Sequence, residues 1–216
     1  MALIVYSGGL DSTVLLHKLA AEGRADGALW VDYGQRHARE YECADYNSRK
    51  LGVKLDVADI SSLKPLFGDN ALTCKSAEVP EGNYADENMK TTVVPNRNMI
   101  LVAIAAARAI AIGTNSVAYA AHSGDHAIYP DCRTEFADAL DNVLRLCHYE
   151  PIRLERPFVN MTKADIVRLG AGLGVDFSHT WSCYKGGEKH CGKCGTCTER
   201  REAFALAGVP DPTVYE

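Results

Sequence analysis

The chain has 216 residues, of which 47% are hydrophobic and 24% are charged, and its formal net charge is -5 at pH 7. This composition is typical of a soluble globular protein, and the acidic balance excludes a broad cationic surface for nucleic acid. No apolar run reaches the ~20 residues needed to span a bilayer, and the N-terminus lacks the basic flank of a signal peptide. We therefore expect a cytoplasmic protein that binds neither membrane nor nucleic acid.

Short apolar runs alternate with amphipathic segments along most of the chain. We predict five strands, at 3–6, 28–31, 53–60, 117–122 and 152–158. We predict a helix after each of them, at 12–21, 36–51, 98–112, 133–146 and 163–173. Such alternation predicts an α/β fold with a doubly wound, five-stranded parallel sheet. Ligands of such sheets bind at the carboxyl ends of the strands, so the chemistry should be sought there.

Some segments need separate treatment. The stretch 61–93 shows little periodicity, and we predict a long functional loop or lid. The helix at 98–112 is apolar nearly all round, which predicts a central position. We divide the chain into an α/β domain at 1–176 and a C-terminal cysteine-containing segment with a helix at 177–216, packed on that domain.

The first strand leads into a glycine-containing turn with the sequence SGGLDST at 7–13. Gly8 and Gly9 lack a Cβ, so the backbone can approach a ligand closely. Ser12 and Thr13 begin a helix whose free N–H groups and dipole favour an anion, most often phosphate. No lysine precedes Ser12, which excludes a Walker A loop. The motif resembles the PP-loop of ATP pyrophosphatases; the alternative is a simple turn with Asp11 and Ser12 as helix caps.

Further polar residues follow the other predicted strands. Asp32 leads the run Asp32-Tyr33-Gly34-Gln35, where it either accepts a hydrogen bond from a base or ribose or caps the next helix. Arg97 lies at the mouth of an apolar helix, where burial requires an anionic partner, either a phosphate or a structural carboxylate. Lys163 in the first turn of a helix opposes the dipole unless an anion lies nearby; solvent exposure is the alternative.

The segment after the fourth strand is a dense polar loop. It contains two histidines, two aspartates, a tyrosine, a cysteine and an arginine: His122, Asp125, His126, Tyr129, Asp131, Cys132 and Arg133. This set is compatible with a metal site or with a pocket for a heteroaromatic ligand. A turn with helix caps explains only part of it.

Eight cysteines fall into two groups. Cys183, Cys191, Cys194 and Cys197 have the spacing C-x7-C-x2-C-x2-C in a glycine-rich loop, which favours a structural zinc site over an iron–sulfur cluster. The other four are predicted to be small buried side chains, with Cys132 of additional interest because of its polar loop: Cys43, Cys74, Cys132 and Cys147.

Together these motifs resemble the 7-cyano-7-deazaguanine synthase family. The matching motifs are SGGLDST, DYGQRH at 32–37, VPNRN at 94–98, YPDCR at 129–133, TKAD at 162–165, and SCYKGG followed by CGKCGTC. They extend from residue 3 to about residue 200. SGGLDST by itself indicates only the PP-loop superfamily, whereas YPDCR with the four cysteines is specific.

The resemblance implies an adenine nucleotide alpha hydrolase-like fold and a homodimer. It implies ATP, ammonia and 7-carboxy-7-deazaguanine as substrates, structural Zn²⁺, and Mg²⁺. ATP would activate the carboxylate as an acyl-adenylate, ammonia would give the amide, and a second activation would dehydrate it to the nitrile.

The resemblance also implies residue roles. The nucleotide site would comprise Ser7, Gly8, Gly9, Leu10, Asp11, Ser12, Thr13, Asp32, Tyr33, Gly34 and Gln35. The catalytic set would comprise Lys163, Arg97, Asp131 and Asp11, of which Asp11 either caps its helix or touches Mg²⁺. The substrate site would comprise Arg97, His122, Asp125, Tyr129, Asp131 and Arg133. The metal ligands would be the four clustered cysteines.

The chain departs from the usual bacterial pattern in one loop. That pattern has Cys and Glu about where His122 and Ser123 stand, and Phe about where His126 stands. A ligase that stops at 7-amido-7-deazaguanine is therefore a close alternative. A PP-loop tRNA sulfur transferase using Cys132 or an iron–sulfur cluster, and a non-catalytic nucleotide-binding module, are more distant ones.

Overall fold

The computed structural model describes residues 1–36, 38–74, 76–84 and 86–216. His37, the last residue of the DYGQRH motif, lies outside the described residues. The strands are β1 Ala2–Val5, β2 Ala25–Asp32, β3 Leu55–Asp59, β4 Ser116–Ala118 and β5 Arg153–Glu155. The helices are α1 Leu10–Ala21, α2 Ala38–Leu51, α3 Arg97–Ala111, α4 Thr134–Leu146, α5 Lys163–Gly172 and α6 Gly195–Ala207.

The five strands form one parallel sheet in the order β3-β2-β1-β4-β5. The order reverses between β1 and β4, which is where ligands bind in doubly wound sheets. One face packs against α1, α2, α5 and α6 through residues such as Ile4 and Trp30. The other face packs against α3 and α4 through residues such as Leu3 and Val117. The predicted fold class is confirmed.

The strand lengths differ from the predicted ones because of their places in the sheet. β2 is an interior strand that pairs with both β1 and β3, and its ladder runs from Ala25 to Asp32. β4 and β5 pair over three residues only, Ser116–Ala118 with Arg153–Glu155. The chain after β4 therefore leaves the ladder early and forms part of a cavity wall instead.

The third helix packs over the middle of the sheet, as predicted, but it is buried on one face only. α3 contacts β1 and β4 with one face, and it buries Val102, Ala105, Ala106 and Ala109. Ala103 and Ala107 on the opposite face are exposed. Alanine and isoleucine make this helix uniformly apolar, but small alanine side chains tolerate exposure.

By length and composition alone, Glu87–Ala111 is apolar enough to cross a membrane. It joins a 3-10 turn, Glu87–Thr92, to α3. The core helix of a soluble protein satisfies the same criterion, so this stretch is weak evidence for a membrane segment.

The C-terminal segment packs closely on the sheet domain. Ala203 and Phe204 of α6 belong to the same buried cluster as α1 and α5. The Trp181 N–H donates to the Gly8 carbonyl at 3.1 Å, so this segment also contacts the turn after β1. The domain boundary at 176 stays a prediction.

Candidate active site

The turn between β1 and α1 is shaped for close contact with an anion. Gly8 has φ 86°, and a Cβ there would lie 2.0 Å from the Glu40 carbonyl oxygen, so only glycine fits. The Ser7 and Ser12 hydroxyl oxygens are 3.0 Å apart, and the Ser7 hydroxyl accepts from the Gly9 N–H at 3.1 Å. Within the described residues no side chain caps the N-terminus of α1. An uncapped N-terminus in this shape suits an anion, and residues 7–13 are called the anion turn below.

A cavity of about 220 Å³ lies above this turn. The predicted nucleotide residues in its wall are Ser7, Gly9, Leu10, Asp11, Ser12, Tyr33 and Gln35. Among the described residues, its wall leaves out Gly8, Thr13, Asp32 and Gly34. The Thr13 hydroxyl instead lies 3.2 Å from the Tyr6 hydroxyl in the core, and an Asp32 carboxylate oxygen accepts from the Gly34 N–H at 2.8 Å. Asp32 therefore stabilises the turn after β2, and its predicted contact with ATP stays a prediction.

Lys163 lies between two carboxylates at the mouth of the turn. Its Nζ is 3.2 Å from Oδ2 of Asp11 and 2.6 Å from Oε2 of Glu199. Burial by itself would lower the pKa of Lys163, but Asp11 and Glu199 outweigh burial and hold the pKa above its usual value. The lysine is therefore a fixed positive charge facing the anion turn.

The N-terminus of α5 shows why Lys163 can start this helix. Thr162 and Asp165 form a capping box that satisfies the first backbone donors. The cost of placing a cation in the first turn is offset by Asp11 and Glu199 from neighbouring helices. The solvent-exposed alternative is wrong, because the Lys163 side chain is only 12% exposed.

Asp11 is the acidic centre of this group. Burial would raise its pKa, but Lys163 and His122 outweigh burial and lower the pKa. Its Oδ1 atom is buried and has no hydrogen-bond partner within the described residues. The orphan oxygen is available to a divalent cation, which is the kind of ligand Mg²⁺ prefers.

The loop after β4 adds a third carboxylate, that of Asp125. Asp125 accepts a hydrogen bond from the Tyr84 hydroxyl at 2.9 Å. His122 Nε2 lies 3.5 Å from Asp125 and 3.7 Å from Asp11, while its Nδ1 accepts from the Gly124 N–H at 3.1 Å. Asp125 lines the cavity, whereas buried His122 lies behind it.

Arg97 and Glu40 occupy another part of the cavity wall. The Arg97 guanidinium carbon lies 5.7 Å from the centre of the Tyr129 ring, a cation–π contact. Burial raises the pKa of Glu40 from 4.5 to about 8, although Arg97 acts in the opposite direction. Tyr129 also contacts Thr92, whose hydroxyl lies 2.6 Å from the tyrosine hydroxyl.

Glu40→Gln is expected to stabilise the protein in a pH-dependent way. Because the pKa of Glu40 is raised, its contribution to stability is full below pH 4.5 and is lost as the pH rises to about 8. One pKa unit corresponds to about 1.4 kcal/mol, so the variant should gain roughly 2–4 kcal/mol over the parent at pH 8 and almost nothing at pH 4.5. Urea unfolding at both pH values measures this. Glu42→Gln, an exposed residue of the same helix, is the control, and a pH-independent difference for Glu40→Gln would contradict the prediction.

The YPDCR motif contacts the start of α3. An Asp131 carboxylate oxygen accepts from the Asn98 N–H at 2.9 Å, and the Asn98 amide lies 3.2 Å from the Cys132 sulfur. The Arg133 Nε donates to the His126 carbonyl at 2.9 Å. The predicted substrate residues in the cavity wall are Arg97, Asp125 and Tyr129; of the described residues, His122, Asp131 and Arg133 do not belong to it. Their substrate roles stay predictions.

The remaining cysteines differ from expectation in one case. Cys132 is buried and lines the cavity, and burial raises its pKa, so it is a thiol rather than a thiolate. Cys43 and Cys74 are partly buried, whereas Cys147 is exposed. Cys147 is the C-cap of α4 and its side chain is exposed, so the prediction of burial is wrong there.

Several residues of the cavity wall were not predicted from the sequence. Trp30 Nε1 and the Tyr119 hydroxyl are buried without a hydrogen-bond partner among the described residues, so a ligand can use them. Both belong to runs that we treated only as strands. Tyr84 belongs to the predicted functional loop, and Tyr184 to the SCYKGG motif. Glu199, which contacts Lys163 from outside the described cavity wall, also gave no signal in the sequence.

The four clustered cysteines form a closed site. Their sulfur atoms all lie within 4.8 Å of one another, and all four residues are buried. The N–H groups of Lys193 and Cys194 point at the Cys191 sulfur, at 3.4 and 3.3 Å. Such N–H contacts stabilise thiolates, and this arrangement fits a tetrahedral metal ion. The group can therefore hold a metal, as predicted.

Solved structures share this architecture. The NMN synthetase of Francisella tularensis matches 97% of this chain and 77% of its own, with a TM-score of 0.56 and 16% identity. An NH3-dependent NAD synthetase from Campylobacter jejuni matches 82% of this chain and 66% of its own, with a TM-score of 0.50 and 15% identity. Identities this low show the fold alone. The sheet order β3-β2-β1-β4-β5 and these likenesses define a doubly wound α/β protein with a parallel five-stranded sheet.

Closer relatives identify the family. Residues 1–208 match the family described as Queuosine biosynthesis protein QueC, and the chain belongs to that family. A Rhizobium meliloti protein is 52% identical over 99% of this chain and 91% of its own length. A Caldicellulosiruptor bescii protein is 51% identical over 100% of this chain and 97% of its own length. A Psychromonas ingrahamii protein is 48% identical over 99% of this chain and 97% of its own length. All three are named 7-cyano-7-deazaguanine synthase, so the chain belongs to a family of enzymes.

Proposed function

We propose that this enzyme is an ATP-dependent carbon–nitrogen ligase that makes 7-cyano-7-deazaguanine from 7-carboxy-7-deazaguanine and ammonia. The observation that carries the proposal is one cavity with the anion turn and Lys163 in its wall, in a chain of this family. Arg97 and Tyr129 in the same cavity suit a planar substrate that bears a carboxylate.

The proposed chemistry has two activations. The substrate carboxylate attacks the α-phosphorus of ATP, the bond to the β-phosphate oxygen breaks, and pyrophosphate leaves. Ammonia then attacks the acyl carbon, loses a proton and displaces AMP, which gives the amide. A second ATP activates the amide oxygen in the same way. Loss of AMP and the remaining N–H protons leaves the nitrile.

The chain supplies position and charge for these steps. The N–H groups at the start of α1 suit the phosphates, because they are uncapped and the helix dipole is positive there. The Lys163 ammonium suits the departing pyrophosphate, since it is buried, protonated and opposite the turn. Holding the two reactants in line lowers the barrier because the step becomes effectively unimolecular.

Two metals fit the described residues. Mg²⁺ would be held by the buried Asp11 carboxylate, whose Oδ1 is orphaned, and would neutralise phosphate charge when bound. Zn²⁺ would be held by the four cysteines, whose thiol donors and spacing suit it, and would fold the loop rather than take part in the reaction. The net charge of -5 supports small-molecule substrates rather than tRNA.

A homodimer and a cytoplasmic location complete the proposal. The exposed apolar residues of α3 include Met99, at 38% exposure, and the alanines beside it. Such a face suits contact with a second copy. Sedimentation analysis at micromolar concentration should give twice the mass of 23.5 kDa.

Product analysis tests the function directly. Pure protein with 7-carboxy-7-deazaguanine, ATP and ammonium is analysed by mass spectrometry while AMP is counted. We expect the nitrile with two AMP per product. The amide with one AMP would instead establish the amide-forming ligase, which the altered loop at His122, Ser123 and His126 favours. Unchanged acid without AMP would refute both.

A further inference from the structure

Glu199 connects the cysteine loop to the reaction centre. Helix α6 begins within that loop, with Cys194 as its N-cap and Cys197 in its first turn. Glu199 follows Cys197 by two residues, and its side chain is only 12% exposed. Its Oε2 atom lies 2.6 Å from the Lys163 ammonium, closer than the 3.2 Å to Asp11.

The backbone around Glu199 is firmly held. The next residue, Arg200, is fully buried, and its guanidinium donates to the Thr180 hydroxyl at 2.8 Å and to the Phe177 carbonyl at 3.0 Å. It also pairs with Asp211 at 3.2 Å. These bonds fix the position of α6 and therefore of the backbone that carries Glu199 beside Lys163.

The loop after β4 is shaped around Glu199. A Cβ at Gly124 would lie 3.1 Å from Oε1 of Glu199 and 2.9 Å from a ring carbon of His122. Glycine at this position lets the loop approach both side chains. The loop that departs from the family pattern therefore fits together with the glutamate of α6.

Lys163 needs both carboxylates to stay in place. Asp11 on α1 pulls the ammonium toward the anion turn, whereas Glu199 pulls it toward α6. With Glu199 neutral, the ammonium would settle on Asp11. A displacement of about 1 Å at a reacting centre can cost about 100-fold in rate.

We propose that Glu199 is a positioning residue that holds the Lys163 ammonium where departing pyrophosphate meets it, and that this contact makes turnover depend on the folded cysteine loop. The inference rests on the proposed function. Glu199 does not touch the reacting atoms, and its effect passes through Lys163.

The test uses Glu199→Gln in the full chain, with Glu202→Gln, an exposed residue of the same helix, as the control. We expect kcat to fall about 10- to 100-fold, because Lys163 is misplaced. The KM for ATP should stay equal or fall, since one negative charge near the phosphates is gone. Metal content and the unfolding midpoint should match the parent. Glu202→Gln should change none of these quantities.

A double-mutant cycle separates positioning from a structural role. On a Lys163→Ala background, Glu199→Gln should cost no further turnover, because its effect requires the lysine. Should Glu199→Gln misfold, Glu199→Asp replaces it, because aspartate keeps the charge on a side chain that is one methylene shorter. Its kcat should fall by less than the roughly 10- to 100-fold expected for Glu199→Gln. Three results for Glu199→Gln would each overturn the proposal. They are a loss of metal content together with kcat, a kcat equal to that of the parent, and a kcat that recovers at high Mg²⁺. A parent enzyme that makes neither AMP nor amide or nitrile would refute the proposed function instead.

Discussion

Lys163→Ala is expected to lower kcat by about 100- to 1000-fold, a loss comparable to removing one preorganised donor from a transition state. The buried ammonium faces the turn at which pyrophosphate would depart, and Asp11 and Glu199 keep it protonated. ATP binding should weaken by less than about tenfold, since the uncapped N-terminus of α1 still holds the phosphates. Steady-state rates and equilibrium binding of ATP measure the two effects separately.

A matched pair of variants controls this experiment. Lys163→Met keeps most of the side-chain volume without the charge, so it should behave like Lys163→Ala. Lys90→Ala removes an ammonium that is 62% exposed and pairs with Glu87 on the surface, and it should leave turnover unchanged. A Lys163 variant that loses ATP affinity and turnover by the same factor would contradict the leaving-group role.

Cys194→Ser is expected to give insoluble or metal-free protein. Cys194 belongs to the closed group of four buried sulfurs and is also the N-cap of α6. A structural metal site of this kind contributes on the order of 10 kcal/mol to local folding. Without it, the start of α6 and the contacts of Arg200 should be lost. Soluble yield, zinc per chain and circular dichroism measure the outcome.

Cys147→Ser is the control for that variant. Cys147 is exposed and lies far from the group along the chain, so its replacement should leave yield, metal content and turnover unchanged. The parent should be colourless with one zinc per chain. A soluble, active Cys194→Ser protein would contradict a structural metal. Iron in the parent protein together with a visible absorption band would show that the site holds an iron–sulfur cluster instead of zinc.

The motifs predicted the backbone geometry of the candidate site well where that geometry depends on neighbouring residues. SGGLDST predicted an anion turn because two glycines and a helix start within seven residues determine that geometry locally. A Cβ at Gly8 would lie 2.0 Å from the Glu40 carbonyl oxygen, so only glycine fits this turn. The cysteine spacing likewise predicted a single cluster, since ligands within one short loop cannot lie far apart.

Motifs were poorer guides to side-chain direction. The family resemblance implied a substrate contact for Asp131, whose carboxylate accepts from the Asn98 N–H at the start of α3 and lies outside the described cavity wall, so that contact stays a prediction. Thr13 points into the core toward Tyr6 rather than into the cavity. A motif specifies the residue type at a position, whereas the packing of neighbouring helices determines the orientation of its side chain.

The amino-acid sequence by itself determined the alternation of strands and helices, the anion turn and the four-cysteine loop, because each depends on residues close together in the chain. Only the tertiary structure decided which groups surround Lys163. Asp11 and Glu199 are 188 positions apart in the numbering, yet both lie within 3.2 Å of its ammonium. Contacts of that kind arise when a sheet brings three helices together at one edge, and no local pattern encodes the distance between them.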